Sequence, residues 1–241
     1  GGYPPAIERS APRRRTAWYR SYIESLVQRD VRDMSRIASL DVLPRLLAAA
    51  SAQTACLFNA SDLAAPFQLS RPTIRDYITL LERVFLLTLL PPWHSNRSSR
   101  LIKTPKLHIG DAGLAAALLD MNRDALAADR SVLGQLLETF VFQELVRQAS
   151  WHNEGTAFFH FRDKDGAEVD IVIEHGARAV AGIEVKAGAT VRPADFRGLR
   201  KLAQVAGKRF SHGVVLYDGE TVLPFGDRLV AVPLRALWET T

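Results

Sequence analysis

The sequence predicts an α/β protein in which an N-terminal helical unit precedes an α/β domain with a central mixed sheet. Three observations predict this class. Apolar residues recur at three- and four-residue intervals through most of the first 149 residues. From Thr156 the pattern switches to strand-like alternation, in three successive runs. A further helical stretch then leads into two more strands. With 241 residues, 47% of them hydrophobic, the chain is long enough for one large domain or two small ones with a real core.

Taken in order, the opening Gly1-Gly2-Tyr3-Pro4-Pro5 lacks an initiator Met and runs into Arg13-Arg14-Arg15, and residues 1–16 read as a linker cut from a longer protein. Trp18, Tyr22, Leu26 and Arg29 are spaced for a helix from Trp18 to about Met34. Pro44 begins an Ala/Leu-rich helix ending near Ala52, and Cys56 is expected in an apolar helical setting. Ser61–Ala65 and Ser70–Glu82 form a short helix, a tight loop and a longer helix. Ser70 is placed to cap the second helix, Pro72 lies in its first turn, and Ile74, Tyr77, Ile78 and Leu81 make one apolar stripe. This is a helix-turn-helix pattern. Val84–Leu90 and Lys106–Ile109 follow as candidate paired strands, so residues 17–110 read as a winged helix. Arg71 and Arg75 on the second helix, with Arg97, Arg100 and Lys103 in the acid-free stretch between the strands, are the candidate phosphate contacts. Protein contact is the other use of such a unit.

Residues 111–241 form the second predicted domain. A short helix ends near Leu119, and a polar link leads to a long helix from Ser131 to about Ala149. That helix is apolar on nearly every side and therefore central. Strands are expected at Ala157–Phe161, Ala167–Ile173 and Ala179–Lys186, then a helix at Pro193–Val205, then strands at Ser211–Tyr217 and Leu229–Val232.

Net charge is +5 with a pI near 9.6, compatible with a nucleic-acid partner. One cysteine excludes an internal disulfide framework, and no apolar run approaches the roughly 18 residues that a membrane span needs. Together with the absence of a signal-like segment, this makes a cytoplasmic protein the expectation. The six histidines show no metal-ligand spacing, and Trp151 and Trp238 are expected to pack in a core or interface.

Chemistry is concentrated in the second and third predicted strands. By alternation Glu168, Asp170, Val172 and Glu174 share one face, opposite Val169, Ile171 and Ile173, while Glu184 and Lys186 share a face of the next strand. Neighbouring strands lie about 4.8 Å apart, which brings Asp170 within reach of Glu184. Two carboxylates so close call for a cation, and oxygen ligands suit Mg²⁺. A metal there could activate water for phosphodiester hydrolysis, with the Lys186 ammonium neutralising developing charge. The chain holds 6 Lys against 25 Arg, so a compact point charge at this position is a minority choice.

The set Glu138, Asp170 and Glu184-Val185-Lys186, on a helix and then two strands, resembles the PD-(D/E)XK superfamily in its Holliday-junction-resolvase-like members. That resemblance implies that Asp170 and Glu184 bind Mg²⁺ or Mn²⁺, that Lys186 assists the attacking water, and that a helix glutamate completes the site. Glu138 fits the last role, with Glu144 as its rival. Val169 stands where the superfamily's proline would be. More broadly, Gly1-Gly2-Tyr3-Pro4, Tyr22 through Arg29-Asp30-Val31, Lys103-Thr104-Pro105-Lys106, Gly110–Leu114 and Pro233–Trp238 are together similar to the domain of unknown function at the C-terminus of prokaryotic AAA-type ATPases. This second resemblance implies a preceding ATPase domain, to which ATP binding would belong. The chain has no Gly-x-x-x-x-Gly-Lys-Ser/Thr loop of its own. The expected partners are DNA and the chain's own ATPase domain, with no membrane, and a homo-oligomer is compatible with all of this. The alternative is a catalytically inactive module of the same fold that binds DNA or protein and regulates an ATPase or a toxin–antitoxin-like system.

Overall fold

The computed structural model describes residues 1–32, 40–96, 104–151, 155–176 and 178–239. They form a mixed α/β structure in two compact units. The first comprises Gly1–Leu89 and Lys106–Gln143, the second Leu90–Pro105 and Glu144–Thr241.

In the first unit the helices are α1 (Pro4–Ile7), α2 (Pro12–Leu26), α3 (Val42–Ser51), α4 (Ala60–Ala64), α5 (Arg71–Arg83), α6 (Ala112–Leu118), α7 (Arg123–Ala128) and the first part of α8 (Arg130–Ala149). A small sheet has the order β1–β3–β2, from β1 (Cys56–Leu57), β2 (Leu87–Leu90) and β3 (Lys106–Ile109). Residues 1–16, expected as a linker, are partly helical, and Ala6 is buried in this unit's core. The buried stripe of α2 is Tyr19 and Ile23, continued by Val27 and Val31 through a π-helical turn. The expected stripe of Trp18 and Tyr22 lies to one side of it. Those two rings stack at 5.1 Å and Tyr3 packs on both, so their apolar surface is covered locally.

The stripe on α5 is as the spacing requires: Ile74, Tyr77, Ile78 and Leu81 are all buried. Ser70 caps this helix, its Oγ accepting from the Thr73 N–H at 3.2 Å. Arg71 and Arg75 lie on its exposed side. Arg97, Arg100 and Lys103 lie outside the described residues. Cys56 is in strand β1, not in a helix, and receives a hydrogen bond from Gln135 Nε2 at 3.1 Å.

The second unit is a six-stranded mixed sheet of order β4–β5–β6–β7–β9–β8. Its strands are β4 (Thr156–Arg162), β5 (Glu168–His175), β6 (Ala179–Lys186), β7 (Phe210–Tyr217), β8 (Leu223–Gly226) and β9 (Leu229–Pro233). The pairs β4–β5 and β5–β6 are antiparallel, whereas β6–β7 and β7–β9 are parallel. Parallel neighbours need a crossover. Helix α9 (Arg197–Ala206), entered through a 3₁₀ turn at Pro193–Phe196, supplies the one between β6 and β7.

Glycines let α9 settle onto the sheet. Gly182 and Gly213 are register partners on β6 and β7. A Cβ on Gly182 would lie 2.6 Å from Leu199 Cδ2, and one on Gly213 would lie 3.2 Å from Leu199 Cβ. From the helix side, a Cβ on Gly198 would fall 1.6 Å from the Glu168 carbonyl oxygen. Val169, Val172, Leu199, Leu202, Phe196 and Val215 fill the core around this contact.

The simple alternation expected for β5 fails at one place. Phe159 pairs with Val172, but Phe161 pairs with Val169, so β5 carries one residue more than β4 at Asp170–Ile171. The bulge turns Val169 into the same core as Val172 and sets Asp170 apart from both. Trp151, expected to pack, is 77% exposed, and Trp238 is also solvent-exposed.

Candidate functional site

The candidate site lies where β5 parts from β6. The β5–β6 ladder runs from His175↔Ala179 to Ile171↔Ile183. Past that pair, the Asp170 side chain takes over: Oδ2 accepts from the Val185 N–H at 2.9 Å. On its other edge β6 stays paired with β7 through Glu184↔Val215 and Lys186↔Tyr217. The Glu184-Val185-Lys186 segment is therefore held straight by one neighbour and bracketed by a carboxylate from the other.

Glu184 and Lys186 follow Gly182 at two-residue steps, which puts them on the sheet face that α9 covers. Lys186 Nζ donates to Glu184 Oε1 at 2.9 Å, with the glutamate side chain largely buried and the lysine about one-third exposed. Burial disfavours the Lys186 ammonium, yet Glu184, Asp170 and Asp195 outweigh it and raise the lysine above its ordinary range. Asp195 also accepts from the Arg192 N–H at 2.7 Å, closing the turn that leads into α9. Sequence spacing gave no sign of Asp195. Its signal was the Arg-Pro-x-Asp of a helix entry, which reads as capping and says nothing about a lysine on a strand.

Asp170, Glu184 and Lys186 thus lie beside one another at this strand end. Glu138 belongs to the first unit, where Lys106 Nζ donates to its Oε1 at 2.8 Å and both side chains are largely buried. Next to it His108, fully buried, lies 3.8 Å from the same oxygen and 3.1 Å from Thr139 Oγ1, which in turn meets Thr54 Oγ1 at 2.8 Å. This polar network ties α8 to β3. Glu144 accepts from Trp238 Nε1 at 3.0 Å and from Gln148 at 3.1 Å, in the second unit.

Among the described residues no group of three His, Cys, Asp or Glu side chains is arranged to enclose a metal ion. The donor set at Asp170 and Glu184 suits Mg²⁺ or Mn²⁺ in a more open mode, because Mg²⁺ keeps several waters and needs only one or two carboxylates. No described helix is long and apolar enough to cross a membrane.

Comparison with known proteins places this geometry in a wider setting. Residues 133–237 match the family model described as Domain of unknown function (DUF4143), and that stretch contains Glu138, Asp170, Glu184 and Lys186. Two curated relatives, the uncharacterized protein Rv2008c of Mycobacterium tuberculosis and the uncharacterized protein Mb2031c of Mycobacterium bovis, are each 27% identical over all 241 residues. The chain spans 52% of the length of each. No solved structure matches the chain significantly. Residues 1–125 match the model described as Domain of unknown function (DUF8612), and the chain belongs to that family.

Proposed function

We propose that this chain is a metal-dependent, nuclease-like and DNA-binding region whose second unit acts on phosphodiester bonds. The observation that carries the reading is the placement of the Asp170 carboxylate against the Glu184-Val185-Lys186 strand end, where Lys186 pairs with Glu184. The order of helix, three antiparallel strands, helix and parallel strand supports the PD-(D/E)XK assignment, and the bulge at Asp170 is of the kind found beside active sites. In the first unit the α4–α5 pair followed by β2 and β3 supports a winged helix, with Arg71 and Arg75 exposed on α5.

Asp170 and Glu184 would hold Mg²⁺ or Mn²⁺. Bound there, the ion would polarise a phosphoryl oxygen and lower the pKa of a water. The protein's own part is positional. The Val185 N–H fixes one oxygen of Asp170, and the β7 ladder fixes the strand that carries Glu184. Lys186 keeps its proton and supplies a positive charge where negative charge develops. Glu138, whose carboxylate accepts from Lys106, lies in the first unit.

The second reading is a catalytically inactive module of the same fold. The Lys186–Glu184 ion pair favours it, since the ammonium partly satisfies the carboxylate that a metal would need. In either reading the curated relatives' extra length leaves room for an ATPase domain, and regulation of an ATPase or a toxin–antitoxin-like system is part of the proposal. Cytoplasmic location and a homo-oligomeric state stand as expectations alongside it.

The deciding experiment is cleavage of labelled DNA and RNA with Mg²⁺ or Mn²⁺ by the wild type and by Lys186→Ala, with calorimetric metal titration of both. Cleavage by the wild type and its loss in the variant supports hydrolysis. Metal-free DNA binding with no cleavage by either protein selects the inactive module.

A further inference from the structure

We propose that the segment Arg192–Arg209, the outer ridge of α9 and its flanks, is the track that holds the phosphates of a nucleic-acid strand entering the Asp170–Glu184–Lys186 site. This rests on the reading of that site as one for phosphodiesters.

The first argument is charge. Between residues 192 and 209 there are six cations (Arg192, Arg197, Arg200, Lys201, Lys208 and Arg209) against one acid, Asp195. Their net of +5 equals the net charge of the whole chain, so the remaining residues balance at 25 basic and 25 acidic. Residues 9–20 carry an equal excess, with Arg9, Arg13, Arg14, Arg15 and Arg20 and no acid, but they belong to the first unit. By contrast α5, the recognition helix suggested by the sequence, sets Arg71, Arg75 and Arg83 against Asp76 and Glu82.

The second argument is orientation. The inner face of α9 is buried through Gly198, Leu199 and Leu202, which leaves Arg197, Arg200 and Gln204 along the exposed side at three- and four-residue steps, with the exposed Lys208 in the turn that follows. Arg197 donates to the Gly166 carbonyl at 3.2 Å, and Arg200 donates to the Pro193 carbonyl at 2.7 Å while lying over the Phe196 ring. A carbonyl fixes a guanidinium without cancelling its charge. Among the described residues none of Arg192, Arg197, Arg200 and Lys208 is in an ion pair. Lys201, by contrast, is shared between Asp163 and Asp165, and Arg209 is bound to Glu174.

The third argument is position. The Gly198 backbone presses on the Glu168 carbonyl, two residues before Asp170, so the N-terminal end of the ridge abuts the strand that carries a site carboxylate. From Arg197 to Gln204 the helical ridge extends about 10 Å, matching roughly three phosphates at about 3.4 Å of axis each.

The test is fluorescence anisotropy of labelled single- and double-stranded DNA with the full 241-residue chain in EDTA, from about 50 to 200 mM salt. The triple variant Arg192→Gln/Arg197→Gln/Arg200→Gln should bind at least tenfold more weakly, and the slope of log K against log salt should flatten by about 2. The corresponding triple Lys variant should keep most of the affinity, separating charge from folding. Equal affinity and slope in wild type and Gln variant would overturn the ridge, even if cleavage at Lys186 holds. Wild-type cleavage activity lost in Lys186→Ala, with the ridge variant bound weakly, supports both. Binding to anionic phospholipid vesicles with no DNA binding by the wild type overturns the ridge and the DNA-binding part of the proposed function together.

Discussion

Asp170 and Val185 are joined by a hydrogen bond of 2.9 Å from the Val185 N–H to the Asp170 carboxylate. A side chain here takes the place of a main-chain ladder bond beyond the last β5–β6 pair, Ile171↔Ile183. The same bond that completes the sheet therefore aims an acid at the strand carrying Glu184 and Lys186, and the predictions for this region follow from that coupling.

Replacing Lys186 by Met removes the cation from Glu184 and should lower stability by about 1 kcal/mol, a figure kept small because the ammonium is partly exposed. The raised pKa fixes the pH dependence. The ammonium's contribution is complete below the unfolded value of about 10.4 and disappears as pH rises through the higher folded value. Urea melts in EDTA between pH 8 and about 11.5 should therefore show the wild-type advantage over Lys186→Met shrinking at the alkaline end.

Gly198→Ala places a methyl carbon 1.6 Å from a main-chain oxygen, where no side-chain rotation relieves it. The helix must move off the sheet, at a cost of about 3 kcal/mol or more. Denaturant unfolding measures the loss. A stability within 0.5 kcal/mol of wild type, roughly the spread of a neutral surface change, would show that α9 is not seated as described.

Phe85 ends α5 in the left-handed region at φ 60°, and it is 81% exposed. Its N–H bonds to the Glu82 carbonyl and that of Leu86 to Leu81, the paired bonds of a Schellman ending whose left-handed position normally holds glycine. Phe85→Gly should raise stability by about 0.5–1 kcal/mol, the left-handed penalty less glycine's added freedom when unfolded. Phe85→Ala keeps the Cβ and should gain little. Thermal melts of the two variants side by side separate backbone strain from side-chain exposure.

Asp111 is buried and accepts from the Gly2 N–H at 2.6 Å, the Leu114 N–H at 2.8 Å and the Tyr19 hydroxyl at 3.1 Å. Asp111→Ala should cost about 3 kcal/mol, because it leaves three donors without their acceptor. Burial and the neighbouring Asp111 charge hold the Tyr19 hydroxyl protonated well above the usual tyrosine range. In Asp111→Asn the negative charge is gone, and ultraviolet titration should show Tyr19 ionising at lower pH than in the wild type.

Local periodicity by itself determined the elements whose pattern is long or sharply alternating: α5 with its Ile74–Tyr77–Ile78–Leu81 stripe, α8, and the strands β4 to β7. It also picked out Asp170, Glu184 and Lys186, since a strand's two-residue repeat already assigns charges to faces. Short or polar elements escaped it. Strand β1 has two residues, and β8 is mostly exposed, so neither leaves a periodic trace. Only the tertiary structure decided the rest. One extra residue in β5 reversed the expected side of Val169, because a strand's register is set by its partner and not by its own sequence. The surroundings of Glu138 and Asp195 were decided in the same way: Lys106 reaches Glu138 from a strand 32 residues earlier in the chain, and the Asp195 charge acts on Lys186 at the end of the preceding strand.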